Sequence, residues 1–132
     1  MNYETLLREH HLKVTPQRLS ILSSMSDKGH ISIEDLFASV KKKFSSISLA
    51  TLYKNINAML ETALISEVKI LNMKSKYEIT KAKHIHMVCQ SCQEVMDLEL
   101  DLSAFVSKAS EKSHYTVKEV DIVLSGLCEK CQ

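Results

Sequence analysis

The stretch YEITKAKHIHMVCQSCQEVMDL, residues 77–98, decides how this chain is divided. It carries a His-x-His pair (His84, His86), a Cys-x-x-Cys knuckle (Cys89, Cys92) and two carboxylates, Glu78 and Asp97. Thiolates suit zinc or iron–sulfur centres, whereas imidazole with carboxylate suits iron or manganese. In a strand, His84 and His86 point to the same face, so both rings can reach one ion. Glu78 lies on the preceding strand-like segment and Asp97 on the following one. The stretch also marks a change in composition, with helical patterns before it and mostly strand patterns after it.

Upstream, Ile65–Leu71 and Lys76–Ile79 alternate in the strand manner around a polar turn containing Asn72 and Ser75. Ahead of this hairpin, Ser48 can cap a helix over SLATLYKNINAMLETA, with Leu49, Leu52, Ile56, Leu60 and Ala63 as its buried stripe. Its other face is small or hydrogen-bonding: Ala50, Thr51, Lys54, Asn55 and Ala58. Such a face suits a major groove, although an ordinary solvated surface would read the same way. Ser32 caps a further helix that buries Leu36, Phe37 and Val40 and ends in Lys41–Lys43, a run that serves equally as a solvated helix end or a DNA contact. Thr15 and Pro16 open another helix with Leu19, Ile21, Leu22 and Met25 inward. Tyr3–Leu12 forms the first. Helices followed by a two-stranded hairpin make a winged helix-turn-helix, with Arg18 placed for a phosphate.

Downstream, HIHMVC and EVMDLEL read as strands joined at the Cys knuckle. Asp101 caps a helix over Leu102–Ser113 with Leu102, Phe105, Val106 and Ala109 inward. Tyr115–Cys128 reads as a final strand leading to Cys128-x-x-Cys131. Four thiolates in two knuckles fit structural zinc, closed to further chemistry. A rubredoxin-type iron site is the rival, weakened because no glycine follows either knuckle. About fifty residues bury little core, so this half needs a metal and a partner chain. The expected fold class is α+β: a winged-helix domain over residues 1–80 and a small α/β dimerisation domain with structural zinc over 81–132.

Bulk properties exclude little more. The net charge is +1 over 132 residues, split between +3 for residues 1–80 and −2 for 81–132. That asymmetry alone supports nucleic-acid binding only weakly. No apolar h-region opens the chain and no apolar run reaches the length of a membrane span, so a cytoplasmic location is expected, with cysteines binding metal in preference to forming disulfides. A metalloenzyme built on two histidines and a carboxylate is an alternative, as is a zinc-ribbon interaction module. No nucleophile elbow, phosphate loop or general base beyond the ligands favours an enzyme.

TPQR at 15–18, SLATLYKNI at 48–56, HIHMVCQSC at 84–92 and GLCEKC at 126–131, in this order and spacing, resemble the ferric uptake regulator family over essentially the whole chain. The resemblance implies a homodimeric repressor, with Zn²⁺ on Cys89, Cys92, Cys128 and Cys131 and a regulatory metal at the hinge. It looks most like the peroxide-stress branch, whose Fe²⁺ or Mn²⁺ ligands match His30, Glu78, His84, His86 and Asp97. Spacing alone leaves His30 as a surface residue in a linker. Asp97 stands where the iron-uptake branch has Glu. Lys83 and Ile85 replace the His and Asp that supply that branch's additional site. Glu78 departs the other way, since peroxide regulators have Asp there. The resemblance further implies an AT-rich palindromic double-stranded operator, hydrogen peroxide as signal, and DNA contacts through Lys13, Arg18, Thr51, Tyr53, Lys54 and Asn55. The alternative within the family is an iron-responsive repressor insensitive to peroxide.

Overall fold

A computed structural model describes residues 2–82 and 84–132. The chain divides into two compact units, Met1–Lys81 and Ala82–Gln132, each with its own sheet.

The first unit begins with α1 (Tyr3–Glu9), capped by the Asn2 side chain, which accepts the Thr5 N–H at 3.1 Å. The helix stops short of the expected Leu12 because His11 adopts a left-handed φ of 59°. In α2 (Pro16–Lys28) the Thr15 hydroxyl accepts the Arg18 N–H at 3.2 Å, and Pro16 occupies the first turn, where its missing N–H costs nothing. Gly29 ends α2 at φ 78°, a conformation that a side chain would strain. Next come β1 (Ile31–Ser32), α3 (Ile33–Lys43) capped by Ser32, and α4 (Leu49–Glu61) capped by Ser48. The wing is the hairpin β2 (Ile65–Val68) and β3 (Lys76–Ile79), antiparallel with Ile65 opposite Ile79 and Val68 opposite Lys76. β1 adds to the far side of β3, giving the order β1-β3-β2. This two-residue strand is too short to show periodicity.

One apolar core holds the unit together, with Leu7, Ile21, Leu22, Met25, Leu36, Val40, Leu52, Ile56 and Met59 fully buried. The stripe of α4 differs from the expected one. Met59 is inside, while Leu49 is 45 % exposed and Ala63 lies past the helix end at φ 59°. Leu49 falls in the first turn, beyond the edge of the core, and the i, i+4, i+7 series Leu52, Ile56, Met59 meets α2 and the sheet side of the unit. Leu71 is likewise outside β2 and 85 % exposed, at the wing tip. Leu52→Ala should therefore cost about 2–5 kcal/mol. Denaturant unfolding followed through helix content measures it, and an unchanged midpoint would contradict this core.

The second unit is built on β4 (Ile85–Cys89), which pairs antiparallel with β5 (Val95–Leu98) and parallel with β6 (Val123–Gly126). The parallel pairing requires a crossover, supplied by α5 (Ser103–Ser113). The Asp101 carboxylate receives the Ser103 N–H at 3.0 Å and its hydroxyl at 2.7 Å. The final strand is much shorter than Tyr115–Cys128. Its paired length is set by the four β4 residues available, His86 to Cys89, and Lys118, Glu119 and Asp121 interrupt the alternation before it.

The expected inward face of α5 is also corrected. None of its residues is buried, and Phe105 is 62 % exposed. Among the described residues this unit buries only Ile85, Val88 and Cys89 as apolar core, while Met96, Leu100, Phe105, Tyr115, Leu124 and Leu127 stay exposed. A helix patterned for burial has no layer to meet within one chain. So small a core falls short of independent stability without a staple.

Candidate functional site

The four cysteines converge at one end of β4. Their Sγ atoms lie within 4.8 Å of one another, with Cys92 and Cys128 3.8 Å apart. Sulfurs on a tetrahedron with Zn–S bonds of about 2.3 Å are themselves about 3.8 Å apart, so the donor set fits zinc. Cys89, the buried member, accepts backbone N–H groups from Cys92 at 3.5 Å and Cys128 at 3.4 Å. Those N–H groups, Cys128 first, lower its thiol to about 6. Cys131 is pushed up to about 12, chiefly by its hydrogen bond with Cys128. One thiolate is favoured and a neighbour is held protonated, the conflict of crowded sulfurs that a divalent cation removes. The turn after the first knuckle is made by Gln93 at φ 66°, so a glycine is not needed there. The four-cysteine cluster suits a structural zinc ion.

The second set of ligands falls into two groups. In the second unit, β4–β5 pairing puts His86 directly opposite Asp97, and strand alternation brings His84 to the same face. His84 Nε2 lies 2.9 Å from His86 Nε2 and 3.3 Å from Asp97 Oδ1, and His86 Nε2 is 3.7 Å from the same oxygen. Donors at right angles on bonds of about 2.1 Å would be about 3 Å apart. Two histidines and one carboxylate so spaced form the facial arrangement that holds Fe²⁺ with open positions. The His84 Nδ1–H donates to the Ala82 carbonyl at 2.7 Å. A carbonyl only accepts, so the Nδ1 must carry the proton and Nε2 presents its lone pair to the cluster. Sequence patterns carry no signal for that carbonyl.

In the first unit, His30 Nε2 and Glu78 Oε2 are 2.7 Å apart, and both side chains are buried. His30 is not the surface residue that its linker position suggests. β1 pairs Ile31 with Tyr77, which brings His30 alongside Glu78 on β3. Of the additional-site positions, Ile85 is buried and Lys83 lies outside the described residues.

The helix-turn-helix face is also specific in its bonding. Tyr53 and Lys54 are exposed on α4. Arg18 sends Nε–H to Asn55 Oδ1 at 3.0 Å and Nη1–H to the Lys13 carbonyl at 2.9 Å. Asn55 Nδ2 donates to the Thr51 carbonyl at 3.0 Å, and the Thr51 hydroxyl accepts from Ser48. No helix of the described residues is long and apolar enough to cross a membrane.

Comparison with known proteins agrees with this architecture. The profile of the ferric uptake regulator family matches residues 9–125. The peroxide operon regulator of Bacillus subtilis is 25 % identical over 127 residues, covering 95 % of this chain and 88 % of that protein. The ferric uptake regulation protein of Synechococcus elongatus is 29 % identical over 132 residues, covering 96 % of this chain and 90 % of that protein. The crystal structure of the Campylobacter jejuni peroxide stress regulator superposes with a TM-score of 0.78 at 36 % identity, covering 99 % of this chain and all of that one. A winged helix joined to a zinc-suited α/β unit is the architecture of a metal-responsive transcription regulator and not an enzyme, and this chain belongs to the ferric uptake regulator family.

Proposed function

We propose that this chain is a peroxide-responsive repressor that binds an AT-rich palindromic operator as a homodimer while a regulatory Fe²⁺ or Mn²⁺ is bound. The observation that carries the reading is the His84, His86, Asp97 cluster, with its short carboxylate at position 97 and the Nε2 lone pair of His84 directed inward. His30 and Glu78 complete the ligand set from the first unit. One ion held by all five side chains fixes the units in a single relation and so presents α4 of each protomer to one half-site. Lys13 and Arg18 contact phosphates, while Thr51, Tyr53, Lys54 and Asn55 lie on the face of α4 that enters the groove. The zinc on Cys89, Cys92, Cys128 and Cys131 serves as scaffold, and the exposed Phe105, Leu124 and Leu127 suit burial against a second copy.

Fe²⁺ held there would activate hydrogen peroxide for cleavage of its O–O bond, with the imidazole itself as the two-electron donor. The imidazole of His30 or His84 then gains one oxygen at carbon and becomes 2-oxo-histidine, and water leaves, so that imidazole plus H₂O₂ gives oxo-imidazole plus H₂O. The altered ring no longer donates the same lone pair, and the link between the units is lost. Manganese holds DNA without this chemistry.

The names of the Bacillus and Campylobacter relatives support this reading. Glu78 favours a second one, an iron-responsive repressor that ignores peroxide, as does the Synechococcus relative. Peptide mass spectrometry after brief peroxide exposure separates them. Fe²⁺-loaded protein should gain one oxygen on the peptide carrying His30 or His84 and lose DNA binding, with Mn²⁺-loaded protein unchanged. Intact histidines with iron-dependent DNA binding preserved would overturn peroxide sensing in favour of the second reading.

A further inference from the structure

The Arg18–Asn55 bond connects the first turn of α2 to the middle of α4, thirty-seven residues away, and its chemistry leaves little freedom. Arg18 Nε–H needs an acceptor, so Asn55 must turn its oxygen toward it. The Thr51 carbonyl needs a donor, so the same amide must turn its NH₂ back into its own helix. Only one orientation of the amide satisfies both, and it is the one present. The Lys13 carbonyl takes Nη1–H of the same guanidinium. Two points thus hold the arginine plane, with Nη2 given no partner by these bonds.

We propose that Asn55 is a positioning residue for DNA binding, acting through Arg18 in place of reading a base. Its amide aligns the guanidinium edge bearing Nη2 with one backbone phosphate, and the Lys13 carbonyl prevents rotation out of that plane. An arginine already held in its binding geometry loses less rotamer freedom on meeting a phosphate than a free one. The sharing of one guanidinium between α2, α4 and the segment before α2 also sets the depth at which α4 enters the groove. Base reading on this helix is left to exposed side chains such as Tyr53 and Lys54. This assignment rests on the DNA-binding reading above and changes the role of one residue within it.

A double-mutant cycle on the full-length, Zn²⁺- and Mn²⁺-loaded protein tests it, using duplexes enriched by the wild type from a randomised library. Asn55→Ala should weaken binding about tenfold on every enriched duplex alike. Because the dimer carries the substitution twice, it should also lower the slope of log K against log salt by about 1.8, the loss of one phosphate contact in each protomer. In an Arg18→Ala background, Asn55→Ala should have no further effect. Circular dichroism verifies folding, and Arg18→Lys, which keeps the charge without the fork, replaces Arg18→Ala if that variant does not fold. Multiplicative effects of the two substitutions would overturn the proposal. So would an Asn55→Ala protein with relaxed preference at one base pair and an unchanged salt slope. If the wild type enriches no duplex at all, the DNA-binding reading itself falls, and this assignment with it.

Discussion

Cys89→Ser is expected to leave the purified protein with almost no bound zinc and to convert it to a monomer whose second unit is unfolded. Cys89 ends β4, is the buried sulfur of the four, and accepts N–H groups from both knuckles. Its own N–H donates to the Glu94 carbonyl at 3.0 Å and its carbonyl accepts from Gln93 at 2.9 Å, so the strand end and the first knuckle turn on this residue. Serine retains the size of the side chain but not a soft anionic donor. Zinc binding in small metallo-domains supplies about 10–16 kcal/mol of apparent folding free energy at neutral pH. A unit whose buried apolar residues are Ile85, Val88 and Cys89 has no reserve of that size. The first unit, with its separate core, should keep its helices. Metal analysis, sedimentation and far-ultraviolet circular dichroism together read the outcome. A zinc-replete, dimeric Cys89→Ser protein would rule out the four-sulfur scaffold.

His86→Ala is expected to lower Mn²⁺ affinity by at least about 100-fold and to abolish metal-dependent operator binding, with zinc content and dimerisation unchanged. Changes to groups that merely orient a metal ligand already cost 10–100-fold, and this one removes a ligand. The site also loses the ring that stands opposite Asp97 in the β4–β5 register, with its Nε2 2.9 Å from that of His84. The small alanine should fit β4 without disturbing the pairing, so the defect remains local. Isothermal titration with Mn²⁺ and a gel shift across Mn²⁺ concentrations measure both effects. Wild-type titration and retardation in this variant would remove the His–His–Asp cluster from the regulatory role.

Three helix starts were legible because each depends on one local bond: Thr15, Ser32 and Ser48 do as caps what their positions announce, whereas α5 starts one residue later than expected, with Leu102 and not Asp101 at its N-cap. The shared face of His84 and His86 followed from strand alternation, and the gathering of the cysteines from their spacing. His30 was recovered only through family resemblance. Its place beside Glu78 depends on β1, two residues that owe their extended form to pairing with Tyr77 and Lys76 and to no pattern of their own. The apolar face of α5 was legible as a pattern but not as a contact. Phe105 has a hydrophobic spacing, yet its side chain stands exposed. Arg18 was visible as a basic residue near a helix start, but its bond to Asn55 joins segments that no short-range rule connects.

β4 bears a member of each of the two groups that could hold a metal, His86 near its start and Cys89 at its end. They are three strand steps apart, about 10 Å and an odd number of side-chain alternations, so they face opposite ways. This imposes a parity rule on the gene. Substitutions within Met87 and Val88 leave both centres in register, but removing or adding one codon there would turn the histidine toward the side of the sulfurs and empty the other face. The two residues between them can change in composition, yet not in number by one, and the wing loop around Leu71 is where length can change instead.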